Sequence, residues 1–143
     1  MPNARNRPPK DKYFMDIAEV VKSRSPDPKT QVGSVIVDSR YRIISTGFNG
    51  LPSGMSEDSV DWNNREEVYD NVLHAEVNAI LYANSKFDGS ILYVTMSPCR
   101  NCIKEVAASG IKTVIFKHKY KDFEEMKLLA DKFGITLTQF EDK

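Results

Sequence analysis

A chain of 143 residues fits one compact domain, which at this size buries about 70% of its unfolded surface and needs no disulfides. Its 41% apolar and 28% charged residues, with seven Gly and seven Pro, exclude collagenous, disordered and coiled-coil classes. Twenty Lys and Arg against twenty Asp and Glu remove the diffuse basic field of proteins that hold long nucleic acid, so a small or local ligand is expected.

Residues 1–10 (MPNARNRPPK) carry too little apolar surface to pack and are expected to form a flexible arm ahead of a single domain over 11–143. No apolar core follows their basic residues and no stretch approaches about eighteen apolar positions, which predicts neither a secretory signal nor a membrane span. Tyr13, Phe14, Ile17, Ala18, Val20 and Val21 recur at helical spacing between Asp11 and Arg24, until Pro26 and Pro28 stop the pattern. β-Branched runs at Val32–Val37 and Arg42–Phe48, joined by Asp38-Ser39-Arg40-Tyr41 and ended by Asn49-Gly50, predict an antiparallel hairpin. Leu51–Asn71 keeps neither period, contains Pro52, Gly54 and six acidic residues, and is expected to be an irregular loop, functional or mobile.

Alternation follows: a helix over 72–84, a strand over 90–95, a helix over 99–109 closed by Gly110, a strand over 112–117, a helix over 122–133 and a strand over 135–140. A hairpin followed by alternating helices and strands predicts an α/β fold with a five-stranded mixed sheet. Its last three strands should be parallel and covered by helices on both faces.

Metal-binding side chains are scarce: two cysteines, Cys99 and Cys102, and two histidines, His74 and His118. Two cysteines three positions apart are a poor framework for a secreted domain, so a reducing cytoplasm is expected. Pro98 suits the first turn of a helix, from which Cys99 and Cys102 would project on one side. Helix N-terminal amides favour the thiolates that metals bind. His74, Cys99 and Cys102 would leave a tetrahedral zinc one ligand short, which is the open position of a catalytic site. His74 and Glu76 point about 200° apart if both lie within a helix, so they can converge only on something beyond the helix end. Plainer readings stand beside this one. Cys99 and Cys102 alone suit a redox pair, the two cysteines with His74 and His118 suit a closed structural zinc, and Glu76 suits a first-turn acid that complements the helix dipole.

His74-Ala75-Glu76 followed by Pro98-Cys99-Arg100-Asn101-Cys102 resembles the H-x-E and P-C-x-x-C signature of the zinc-dependent cytidine/deoxycytidylate deaminase superfamily. Asp27-Pro28-Lys29-Thr30-Gln31-Val32-Gly33, Gly47-Phe48-Asn49-Gly50-Leu51-Pro52 and the run 74–80 (HAEVNAI) are similar to deoxycytidylate (dCMP) deaminases in particular. So are Ser109-Gly110-Ile111-Lys112 and Lys119-Tyr120, and the resemblance spans about residues 11–135.

The resemblance implies a cytidine-deaminase-like three-layer α/β/α fold and hydrolytic deamination of dCMP to dUMP with release of ammonia, feeding thymidylate synthesis. It implies one Zn2+ per chain on His74, Cys99 and Cys102, with Glu76 carrying protons as both base and acid. Asn49 would hold the sugar 3′-hydroxyl, the Ala75 amide the pyrimidine carbonyl, and Tyr120 would lie near base and phosphate. Arg24, Lys29 and Lys119 are the cations expected to meet the phosphate, Arg24 best matching the family's basic position before Asp-Pro. Some members place an arginine where this chain has Ser85. Some bind a second, structural zinc through extra Cys and His residues that are absent here, Met55 standing where they carry Cys.

The family also implies a homohexamer activated by dCTP and inhibited by dTTP; Mg2+ is expected with the triphosphate, shielding it from the carboxylates of the long loop, and Phe48, Gly50 and Leu51 beside that loop are the candidate effector residues. A sister enzyme acting on cytidine, guanine or a tRNA adenosine is the nearest alternative. A zinc-stabilised binding module without turnover is the alternative from another class, and it would have no use for Glu76.

Overall fold

In the computed structural model, which describes residues 5–83 and 87–142, helix α1 (Lys10–Lys22) leads into β1 (Gly33–Val37) and β2 (Ile43–Phe48). After these come α2 (Arg65–Asn71), α3 (Ala75–Leu81), β3 (Ile91–Met96), α4 (Cys102–Ser109), β4 (Thr113–His118), α5 (Phe123–Lys132) and β5 (Thr136–Gln139). The strands form one sheet in the order β2-β1-β3-β4-β5. β1 runs antiparallel to both β2 and β3, while β3, β4 and β5 are mutually parallel. The mixed sheet predicted from the alternation is therefore present, its two parallel steps crossing over through α4 and α5.

All five residues of β1 are buried, as a strand packed on both faces requires. One face receives α1, where Phe14, Met15 and Ala18 meet Val35, Val37, Tyr93 and Ile115. The other face carries the main core, in which Ile36, Leu92, Val94, Val114 and Phe116 pack with Ala79, Ile103, Val106, Met126 and Ala130 from α3, α4 and α5. Each fully buried Leu, Ile, Val or Met side chain here stabilises the fold by about 1.5–3 kcal/mol relative to exposure. Coverage on both faces does not reach the last strand. In β5 only Leu137 is even partly buried, while Thr136, Thr138 and Gln139 are exposed, because α1 stops over β1 and β3.

The segment expected to be irregular holds a 3-10 turn at Glu57–Ser59 and the seven-residue α2. The Asn64 side chain caps α2 by accepting from the Glu67 amide at 3.2 Å, and Val68 is its one buried residue. A single apolar anchor leaves no periodicity to read, although Asn64 ahead of Glu67 is a capping pattern. The helix predicted over 72–84 spans only Ala75–Leu81, and position 84 of that prediction, with Ser85, lies outside the described residues. No helix among the described residues is long and apolar enough to cross a membrane.

Candidate active site

Two features of the sheet place α3. Gly47 in β2 lies so close beneath the helix that a Cβ there would run into the Ala75 carbonyl and stand 2.5 Å from the Ala79 amide nitrogen. Sheet hydroxyls then tie the helix down: Ser34 donates to the Ala75 carbonyl at 2.9 Å and Ser45 to the Ala79 carbonyl at 2.7 Å. Asn78 adds a hydrogen bond in the other direction, from its amide to the Phe48 carbonyl at 2.8 Å.

His74 is the N-cap of α3, with extended backbone (ψ 158°), and Glu76 follows in the first turn. This placement removes the angular conflict between positions two apart on a helix, because only Glu76 is inside it. The preceding Leu73 is paired with Gly50 by two backbone hydrogen bonds of 3.1 and 2.8 Å, which fixes the approach to His74. α4 begins at Cys102, three residues later than the predicted start, and the Ile103 amide closes its first turn on the Cys99 carbonyl. Pro98 therefore precedes the turn and does not open the helix.

The two N-termini bring His74, Cys99 and Cys102 together, with all ligand atoms within 4.8 Å of one another. His74 Nδ1 lies 3.0 Å from Cys102 Sγ and 3.6 Å from Cys99 Sγ, and the sulfurs are 3.3 Å apart. Zinc bond lengths at tetrahedral angles would hold such atoms about 3.5–3.8 Å apart, so the cluster fits after opening by half an ångström or less on most edges. The Cys102 amide donates to Cys99 Sγ at 3.3 Å, a contact that favours a thiolate. His118 is exposed at the end of β4 and takes no part in the cluster, so the closed four-ligand site does not form.

Electrostatics follow from crowding. The Cys102 hydrogen bond, opposed by burial and helped by His74, brings the Cys99 thiol down to about 4. Cys102 is pushed up by the same hydrogen bond and by burial, since one proton between two adjacent sulfurs stabilises a single thiolate. The hydrogen bond to Cys99, with Glu76 adding to it against burial, raises His74. Burial pushes the Glu76 carboxyl up to about 7, with His74 pulling the other way. Glu76 is 3% exposed, and its Oε1 lies 3.8 Å from His74 Nδ1.

Outward from these groups opens a cavity of about 190 Å³, lined on one wall by Asp27, Thr30, Val32 and Asn49 and on another by Val68, Tyr69 and Val72. Ala75, Glu76, Ser97, Tyr120, Lys121 and Arg65 complete it. Asn49 is buried and triangulates the first wall, accepting from the Val32 amide and donating to the Thr30 carbonyl, both at 2.8 Å. Asp27 and Arg65 join the walls: the guanidinium meets both carboxylate oxygens at 3.1 and 2.7 Å. Tyr120 is set by a hydrogen bond from its amide to Ser97 Oγ at 2.8 Å.

Of the residues predicted to bind substrate, Asn49, Ala75 and Tyr120 line this cavity. Arg24 and Lys29 are exposed and do not line it; neither does Lys119, which sits over the Phe123 ring at 4.8 Å. Phe48, Gly50 and Leu51 flank the cavity without lining it. Arg65, Tyr69 and Lys121 escaped the sequence reading, the first two because they fall in the segment taken as irregular.

Residues 8–118 match the family model for the cytidine and deoxycytidylate deaminase zinc-binding region. The chain belongs to this family. Deoxycytidylate deaminase from Homo sapiens is 41% identical over 138 residues, covering 90% of this chain and 78% of its own length. A probable deoxycytidylate deaminase from Drosophila melanogaster is 37% identical over 87% of this chain and 69% of its own. Among solved structures, dCMP deaminase from cyanophage S-TIM5 in complex with dCMP and dUMP superposes with a TM-score of 0.79 at 28% identity, over 94% of this chain and 98% of that one.

Proposed function

We propose that this protein is a zinc-dependent dCMP deaminase that converts dCMP and water to dUMP and ammonia. The observation that carries the reading is the buried Glu76 carboxylate facing a His74, Cys99 and Cys102 cluster at the floor of a cavity that also holds Asn49 and Tyr120. A structural zinc site has no need of that carboxylate.

His74, Cys99 and Cys102 would hold the zinc, which when bound supplies a Lewis acid that makes water nucleophilic near neutral pH. Glu76 takes a proton from the attacking water and delivers it to ring N3 as the oxygen bonds to C4. The remaining hydroxyl proton returns through Glu76 to the amino group, the C4–N4 bond breaks with its electron pair on nitrogen, and ammonia leaves behind a C4 carbonyl. Burial favours the neutral carboxyl of Glu76 and His74 opposes it, so the group has a use for both protonation states inside the site.

Asn49 spends two of its amide's hydrogen-bonding positions on the wall and keeps one N–H and one lone pair for a sugar hydroxyl. Ala75 offers a first-turn amide, which an α-helix leaves without an internal acceptor, to the pyrimidine carbonyl.

Family resemblance further supports a cytoplasmic homohexamer that dCTP activates and dTTP inhibits, each with Mg2+. The Gly50–Leu73 pairing supplies a physical route for such regulation, since it links Phe48, Gly50 and Leu51 to the residue before His74. An ammonia-release assay on dCMP, deoxycytidine, CMP and guanine tests the function. Preferred turnover of dCMP is expected. Preference for guanine or an unphosphorylated nucleoside would favour a sister enzyme, and no turnover with full zinc would favour a binding module.

A further inference from the structure

The cavity has four charged walls besides its histidine and cysteine: Asp27, Arg65, Glu76 and Lys121. Three of them are already engaged. Asp27 and Arg65 neutralise one another through two hydrogen bonds, and Arg65 spends a third N–H on the Trp62 carbonyl at 3.1 Å. Glu76 is buried against His74. Lys121 has no carboxylate within ion-pairing distance among the described residues. Its immediate neighbour Asp122 accepts instead from the Arg100 amide at 3.0 Å.

What surrounds the Lys121 ammonium is aromatic. Nζ stands 5.8 Å from the centre of the Tyr69 ring on α2 and 5.6 Å from that of its chain neighbour Tyr120. Ring faces attract a cation by only about 0.5–1 kcal/mol at exposed sites and consume none of its N–H donors. The charge is thus held at the mouth and left available to an anion. Its main chain is anchored as well, because the preceding Tyr120 is bonded to Ser97.

We infer that Lys121 is the specificity-determining residue for the 5′-phosphate, its ammonium meeting the phosphate monoester at the mouth while the base reaches Glu76 at the floor. The inference rests on the dCMP reading above and gives to Lys121 the role that the sequence suggested for Arg24, Lys29 or Lys119. Arg65 is a positioning residue, compensated by Asp27 and holding α2, with Tyr69, against the opposite wall.

Steady-state kinetics of the zinc-loaded enzyme on dCMP and deoxycytidine test this, with wild type, Lys121→Gln, Lys121→Arg and Arg24→Ala. Losing a charge-assisted contact should lower kcat/KM for dCMP about 10- to 100-fold in Lys121→Gln. Turnover of deoxycytidine should change by less than about twofold, and Lys121→Arg should recover most of the loss, because the defect is confined to the phosphate. The inference is overturned if Lys121→Gln leaves dCMP unaffected, if it harms both substrates equally, or if Arg24→Ala shows the phosphate-selective loss instead. In each of those cases wild-type turnover of dCMP leaves the deaminase reading intact. A wild-type enzyme that releases no ammonia from dCMP overturns both.

Discussion

Gly47→Ala is the substitution that best separates the role of the sheet in building the site from the chemistry of the site itself. The added methyl would press on the Ala75 carbonyl, the Ala79 amide nitrogen at 2.5 Å and the Ala79 Cα at 3.0 Å, all of them backbone that cannot swing aside. To reach ordinary contact near 3.4 Å, α3 must retreat by about 1 Å. That retreat stretches the Ser34 and Ser45 hydrogen bonds to the helix, now 2.9 and 2.7 Å, beyond useful length. Two lost hydrogen bonds at about 1 kcal/mol each, with overpacking of about 1–3 kcal/mol, predict destabilisation of about 3–5 kcal/mol and a Tm roughly 10–15 °C lower. His74 and Glu76 travel with the helix, and a displacement of about 1 Å costs on the order of 10²-fold in turnover. Gly134→Ala is the comparison. Gly134 has φ 76° but no atom within 4 Å of the added methyl, so it should lose about 1 kcal/mol of stability and no activity. Thermal unfolding and kcat on dCMP measure the two effects, and zinc per chain shows whether the ligand cluster survives. A Gly47→Ala enzyme with wild-type kcat and Tm would refute the claim that close approach at this glycine sets the position of α3.

Three further outcomes are expected. Glu76→Gln should retain zinc and fold yet lose at least ~10²-fold in kcat, since an amide cannot carry the proton; near-normal turnover would return Glu76 to a helix-dipole role. Arg65→Ala should cost about 2–4 kcal/mol in urea unfolding at pH 7, because it strands the Asp27 carboxylate, whose side chain is 3% exposed. Burial raises the Asp27 pKa, but Arg65 and the Lys29 and Thr30 amides outweigh it and hold the group below the usual carboxylate value. That stabilisation is complete above about pH 4 and lost as pH falls through the lower folded-state value, so the gap between wild type and variant should close in acid; a gap independent of pH would exclude the ion pair as its source. Finally, dCTP with Mg2+ should tighten dCMP binding and dTTP should weaken it, and an active oligomer indifferent to both would remove the regulatory proposal without touching the chemistry.

The elements legible in the sequence are those whose burial follows a period. α1 and the β1–β2 hairpin stand within one or two residues of their expected bounds, because apolar positions there face a core on a regular face. α2 fails that test for a physical reason: one buried valine and a side-chain cap hold it, and neither creates a repeating pattern. β5 misleads in the opposite sense. Ile135, Leu137 and Phe140 promise a strand packed on both faces, yet within β5 only Leu137, on the side toward α5, is even partly buried, and the α1 side is met only by Phe140 just past its end, since nothing in an apolar run states how far a neighbouring helix extends.

The site divides along the same line. His74 with Glu76 and Cys99 with Cys102 are pairs local in sequence, so two short motifs specify most of the metal and proton chemistry, and only their convergence needs the fold. The cavity mouth is made of distant pairs. Asp27 and Arg65 are 38 residues apart, and Tyr69 and Lys121 come from opposite walls. Charge state is the property that local reading cannot supply: Arg24, Lys29 and Lys119 stand out near the motifs in the sequence, and only the fold decides which cations line the cavity and which of those stays free. Arg65 lines the cavity but is neutralised by Asp27, Arg24, Lys29 and Lys119 lie outside it, and Lys121 faces two rings that leave its charge unspent. Recognition of an anion thus depends less on the count of basic residues near a site than on which of them lacks an internal carboxylate.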